Sequence, residues 1–121
     1  MPLVNISILK GKSPDFIKAI ADGVNSAVIE TMGFPVDDRY QIITEHEPHC
    51  LEYQQRIGDR VMMYLIMRRG RSPESKKAFY KKVVENLARN PGIDPANILI
   101  TIAENDNIDW SFRDGKAQFV P

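Results

Sequence analysis

The sequence predicts an α/β fold made of two tandem βαβ units, and three observations carry that prediction. The chain aligns with itself without a gap at one constant shift: Gly11, Ser13 and Pro14 fall on Gly70, Ser72 and Pro73, Lys18 and Ala19 on Lys77 and Ala78, Val24 on Val83, Gly33 on Gly92, and Ile43 and Glu45 on Ile102 and Glu104. Each half opens with a short apolar run, Leu3 to Leu9 and Val61 to Met67, that ends in a Gly-x-Ser-Pro turn. Each turn leads into a stretch whose apolar residues recur at helical spacing.

The elements follow in order. Leu3 to Leu9 is the first strand. Ser13 then caps a helix, Pro14 suits its first position, and Asp15 lies favourably near the positive end of the dipole. Ile17, Ile20, Val24 and Val28 form one apolar stripe along it, and Gly33 marks its stop. Tyr40 to Glu45 is the second strand. In the second unit Val61 to Met67, the helix begun by Ser72, Pro73 and Glu74, its stripe of Phe79, Val83 and Leu87, the stop at Gly92 and the strand Ile98 to Ala103 repeat the series. The repeats span roughly residues 2–46 and 61–105 of a single domain, 1–121, with a C-terminal tail of short strands or a hairpin at 106–121.

A βαβ unit has parallel strands and a right-handed crossover, so two related units give a four-stranded mixed sheet with both helices on one face. The other face needs a cover. The third strand, Val61-Met62-Met63-Tyr64-Leu65-Ile66-Met67, is apolar on both sides, so self-association is the simplest one.

Composition excludes several functions. Lysine plus arginine equals aspartate plus glutamate, 16 each, so no broad basic field attracts nucleic acid or an anionic membrane. The longest apolar run is far shorter than a bilayer-spanning helix. Cys50 is the only cysteine and the N-terminus lacks a secretory pattern, which points to the cytoplasm. His46 and His49 flank Glu47 and Pro48 without a third ligand of clear spacing, so no metal is expected; the absence of P-loop, dinucleotide and CxxC motifs implies no cofactor.

Parallel strands bring the start of the first, Pro2, beside the start of the second, Asp38-Arg39-Tyr40. If the units are related by a pseudo-two-fold axis with their first strands antiparallel, Arg68, Arg69 and Arg71 return to the same edge. The repeat is broken there: Pro2 falls on Val61, Lys10 on Arg69, Lys12 on Arg71 and Asp38 on Asn97.

A chain that begins Met-Pro-Leu-Val, with duplicated βαβ units and arginines after the third strand, resembles the tautomerase superfamily along nearly its whole length. The runs Asp38-Arg39-Tyr40-Gln41, Arg69-Gly70-Arg71-Ser72, Asp109-Trp110-Ser111-Phe112 and Ala117-Gln118-Phe119 are similar to those of malonate semialdehyde decarboxylase-like members, with Gly70 in the place of a proline. The resemblance implies Pro2 as catalytic amine once Met1 is removed, Asp38 as its acidic partner, Arg69 and Arg71 as carboxylate binders, Trp110, Phe112 and Phe119 as pocket wall, and a homotrimer. Arg69 and Arg71 are favoured over Arg68. Arg39 is a second-tier substrate-binding candidate that could equally serve a neighbouring subunit or a structural ion pair. Asp38 can also cap the turn before the second strand, and the tail aromatics can pack at a subunit interface.

Proline alone has a secondary α-amine, and an α-amine titrates near about 8. Arginines push it toward the neutral form and Asp38 toward the cation. A cation polarises the carbonyl of a 3-oxo acid and collects the electrons of a departing carboxylate, which is decarboxylation; iminium formation by the neutral amine reaches the same sink. A neutral amine can also shuttle a proton, giving keto–enol tautomerisation of 2-oxo acids such as phenylpyruvate, with hydratase activity on acetylenic acids as a further possibility. A small carboxylate-bearing oxo acid is the substrate in each case. The remaining alternative is a non-catalytic trimeric interaction module, which retention of Met1 would favour.

Overall fold

The computed structural model describes residues 2–121. Strand β1 (Leu3–Leu9) is followed by helix α1 (Pro14–Met32) and strand β2 (Tyr40–His46), then by β3 (Val61–Arg68), α2 (Pro73–Arg89) and β4 (Ile98–Asn105), with short 3-10 turns at Pro48–Cys50, Pro95–Asn97 and Asn107–Asp109. The four strands form one mixed sheet in the order β2-β1-β3-β4. β1–β2 and β3–β4 pair in parallel, and β1–β3 antiparallel at the centre.

The helix starts are built as their residues dictate. Ser13 Oγ accepts from the Phe16 N–H at 3.1 Å and Ser72 Oγ from the Ser75 N–H at 3.1 Å, each ahead of a proline that gives up no hydrogen bond at this position. Gly33 closes α1 in the left-handed conformation, φ 70°, its N–H donating to Ile29 O. α2 ends earlier than its Gly92 suggests, at Arg89, because Pro91 has no N–H and forces the preceding Asn90 into an extended conformation. The strands β2, β3 and β4 each run slightly past their apolar runs, since the ladder itself continues: Lys10 N–H donates to His46 O at 2.8 Å, and its repeat counterpart Arg69 to Asn105 O at 2.9 Å.

Alternation sorts the sheet into two faces. Val4, Ile6 and Ile8 of β1 and Val61, Met63, Leu65 and Met67 of β3 point to the helices and are at most 2% exposed. They meet Ile20, Val24 and Val28 of α1 and Phe79, Val83 and Leu87 of α2 in one core. The helices approach closely at Gly23, where a Cβ would lie 3.0 Å from Leu87 Cδ2, and Asn86 Nδ2 bridges to Gly23 O at 2.9 Å. The opposite face carries no helix. It leaves Tyr40, Ile42 and Tyr64 between 41% and 48% exposed.

The connection from β2 to β3 wraps around Arg60, 9% exposed, whose guanidinium donates to the carbonyls of Pro48, Leu51, Arg56 and Gly58. Four carbonyl dipoles thus replace the water this charge loses. The tail holds no strand. Its hairpin is reduced to a single bridge, Arg113 to Lys116, across Asp114 and Gly115, both at positive φ. Among the described residues no helix is long and apolar enough to cross a membrane, and no three His, Cys, Asp or Glu side chains are grouped to hold a metal ion.

Phe79 is wholly buried under the sheet, so Phe79→Ala is expected to cost roughly 3–5 kcal/mol. A urea unfolding midpoint lowered at unchanged slope would show it.

Candidate active site

The central register decides which residues meet. Leu3 of β1 pairs with Tyr40 on one side and with Ile66 on the other. Continued one step, these ladders put Pro2 level with Arg39 and Met67, the chain neighbours of Asp38 and Arg68. Pro2 is buried. Met1, whose removal the amine chemistry requires, lies outside the described residues.

Asp38 closes a turn in which its N–H donates to Pro35 O at 3.1 Å, and is half-buried. The Tyr40 hydroxyl donates to its carboxylate. That hydrogen bond, followed by burial and the nearby charges of Asp38 and Asp37, holds the Tyr40 phenol above its ordinary pKa, against a smaller opposing pull from Arg113. Arg39 is not brought into this cluster. On a strand, neighbouring side chains alternate between faces, and Arg39 turns to α1, 2.9 Å from Asp22 Oδ1 and 3.1 Å from Gln41 Oε1.

The three arginines have different fates. Arg71 lies 4.1 Å over the Phe34 ring, and its Nε donates to Met32 O at 2.8 Å, which fixes the guanidinium at the end of α1. Arg69 is mostly exposed and paired with Asp106 at 2.9 Å. Gly70 between them has φ 129°, a conformation closed to proline. Arg68 is half-buried; its guanidinium lies 3.6 Å over Phe119 and Nη1 donates to Asn107 Oδ1 at 3.1 Å.

The tail crosses the end of the helix-free face. Trp110 Nε1 donates to Asn105 Oδ1 at 2.6 Å, and the indole stacks on Phe112, 5.5 Å between centroids and 9° from parallel. Phe112 meets Phe119 edge-on at 5.2 Å and Tyr40 at 5.8 Å. Gln118 ties this loop shut, accepting from the Phe112 N–H and donating to Arg113 O, both at 2.8 Å. Tyr40, Trp110, Phe112 and Phe119 thus form one aromatic cluster over the end of the helix-free face, with the Arg68 guanidinium against Phe119.

A family model for tautomerase enzymes matches residues 38–113, and a second one of the same description matches residues 2–51. The chain belongs to the tautomerase family. A probable tautomerase of Bacillus subtilis (strain 168), YrdN, is 33% identical to this tautomerase over 99% of the chain and 97% of its own length. Among solved structures, a malonate semialdehyde decarboxylase, whose structural work concerns decarboxylase and hydratase activities, superimposes with a TM-score of 0.86 at 32% identity over 97% of this chain and 95% of its own. The FG41 malonate semialdehyde decarboxylase inhibited by 3-bromopropiolate gives 0.87 at 32% identity over 97% and 93%.

The sequence sets Tyr40 and Arg68 at this edge, Arg68 as the least favoured of the three arginines and Tyr40 without a role of its own. Parity distinguishes them: on β2 and β3 they alternate onto the helix-free face, the face the tail aromatics cover. Replacing Asp38 by alanine is expected to bring the Tyr40 phenol down toward its ordinary value, read as phenolate ultraviolet absorbance with Tyr40→Phe as the blank.

Proposed function

We propose that this tautomerase decarboxylates a small 3-oxo acid such as malonate semialdehyde, using the Pro2 amine freed by loss of Met1, as a single-domain homotrimer in the cytoplasm. The observation that supports this reading is the register that pairs Leu3, the residue after Pro2, with Tyr40 on one side and Ile66 on the other. The end-to-end likeness to malonate semialdehyde decarboxylase supports it. The trimers among more distant solved relatives and the exposed apolar sheet face support self-association.

Asp38 lies by register beside the amine and favours its cation, while the guanidinium groups oppose it. The cation polarises the substrate carbonyl. Arg71, with Arg69, takes the carboxylate that leaves, and Trp110, Phe112 and Phe119 exclude water, which disfavours the localised carboxylate more than the spread charge of the transition state. The bond between carboxylate and methylene carbon breaks, carbon dioxide departs, and its electron pair becomes an enolate beside the ammonium. Protonation at carbon gives acetaldehyde. In this scheme Arg39 steadies the β2 edge rather than the substrate.

A second reading, keto–enol tautomerisation of 2-oxo acids of the phenylpyruvate type, is favoured by the tautomerase name of the Bacillus relatives. The two separate on one titration. A cationic decarboxylase has Pro2 titrating above neutrality, and its rate is lost as pH rises through that value; a tautomerase has Pro2 titrating below neutrality and gains rate as pH rises through it.

A chain extended before Pro2 by a tag that cannot be removed has an amide in place of the amine. It is expected to release carbon dioxide from malonate semialdehyde roughly 10²-fold more slowly or worse, with an unaltered circular dichroism spectrum. Equal rates in the two chains would exclude proline-centred catalysis.

A further inference from the structure

Arg68 has no carboxylate partner among the described residues, although it lies on the strand end that flanks Pro2. Arg69, one residue on, has its charge answered by Asp106. Arg68 alternates with Met62, Tyr64 and Ile66 onto the helix-free face and pairs with Asn105 of β4. There it borders a cavity of about 350 Å³ together with Arg69, Asn105, Asp106, Asn107 and Ile108, in which the Asp106 carboxylate is taken up by Arg69. Phe119 supports one flat side of its guanidinium and Asn107 takes a single N–H. The other in-plane N–H groups keep the fork geometry that matches a carboxylate with two parallel hydrogen bonds.

We propose that Arg68 forms a second carboxylate subsite, so that this enzyme takes 3-oxo diacids. The inference rests on the Pro2-centred reading above and names its substrate class. In a simple 3-oxo acid the carbonyl carbon carries hydrogen or an alkyl group on the side away from the departing carboxylate. In a diacid such as oxaloacetate that place is held by a second carboxylate, joined directly to the carbon whose oxygen Pro2 polarises. The Arg68 guanidinium, two residues beyond the Leu3 partner Ile66 on β3, meets that group, while Arg71 with Arg69 holds the one that leaves. The distal carbon–carbon bond breaks, carbon dioxide departs, the electron pair forms the enolate of a 2-oxo acid, and a proton added at carbon gives pyruvate. The carboxylate bound to Arg68 is retained in the product.

The experiment compares oxaloacetate with malonate semialdehyde for the processed enzyme, Arg68→Ala and Arg68→Lys, with chelator present and the spontaneous reaction subtracted. The ratio of kcat/KM for the diacid over the monoacid is expected to fall roughly 10- to 100-fold in Arg68→Ala, chiefly through KM, and to recover in part in Arg68→Lys. A ratio unmoved by Arg68→Ala, or a wild-type enzyme that acts on malonate semialdehyde but not on oxaloacetate, overturns the subsite. Calorimetric binding of the unreactive pair succinate and propionate reads the subsite without turnover. If neither oxo acid reacts but Arg68→Ala still weakens succinate selectively, the Pro2 reading has failed and the subsite stands; if succinate binding is also unmoved, both have failed.

Discussion

The antiparallel pairing of β1 with β3 is the contact on which the rest of the structure depends. It joins the two βαβ units across the middle of the sheet, Leu3 opposite Ile66 and Ser7 opposite Met62, and so brings the beginning of one strand and the end of the other to a common edge. Because side chains alternate with a period of two, a slip of one residue would turn Val4, Ile6, Met63 and Leu65 out of the core and expose them on the bare face. Core formation therefore sets the register, and the register sets which residues surround Pro2.

The same pairing creates a second, pseudo-equivalent edge with different contents. There Val61 occupies the place of Pro2 and Asn97 that of Asp38. Asn97 is buried and donates to Ile57 O and Asp59 O, a purely structural use. Lys12, the counterpart of Arg71, is joined to Asp59 at 2.6 Å, and Lys10, the counterpart of Arg69, to Glu47 at 3.4 Å. At that edge cations are neutralised locally. At the Pro2 edge Arg69 is likewise answered by Asp106, while the guanidinium groups of Arg68 and Arg71 rest on aromatic rings, which holds them in place without answering their charge. The two ends of a duplicated scaffold thus hold their cations differently.

Much of this was legible in the chain. Ser13-Pro14 and Ser72-Pro73 start the helices where the sequence says they should, because capping and proline geometry are local matters. The stop of α2 was less legible: Gly92 carries the repeat signal, but Pro91 acts first by removing a donor. The tail was read correctly as aromatic but not as to its form. Its side chains stack on one another and on Tyr40, and Trp110 to Phe119 folds as a loop held by Gln118 and not as strands.

By itself the sequence determined the α/β class, the two repeated units, the helix caps, the apolar stripes and the singular position of Pro2. All of these are expressed over a few residues or by direct repetition. Tertiary structure alone decided the partition of the arginines. Arg68, Arg69 and Arg71 are nearly adjacent and chemically alike, and nothing local separates them. The ends of α1 and of the tail do: Met32 and Phe34 claim Arg71, Asp106 claims Arg69, and Phe119 with Asn107 claims Arg68. Those partners stand far away in the chain, and only the closing of the sheet and its core brings them within reach of a guanidinium.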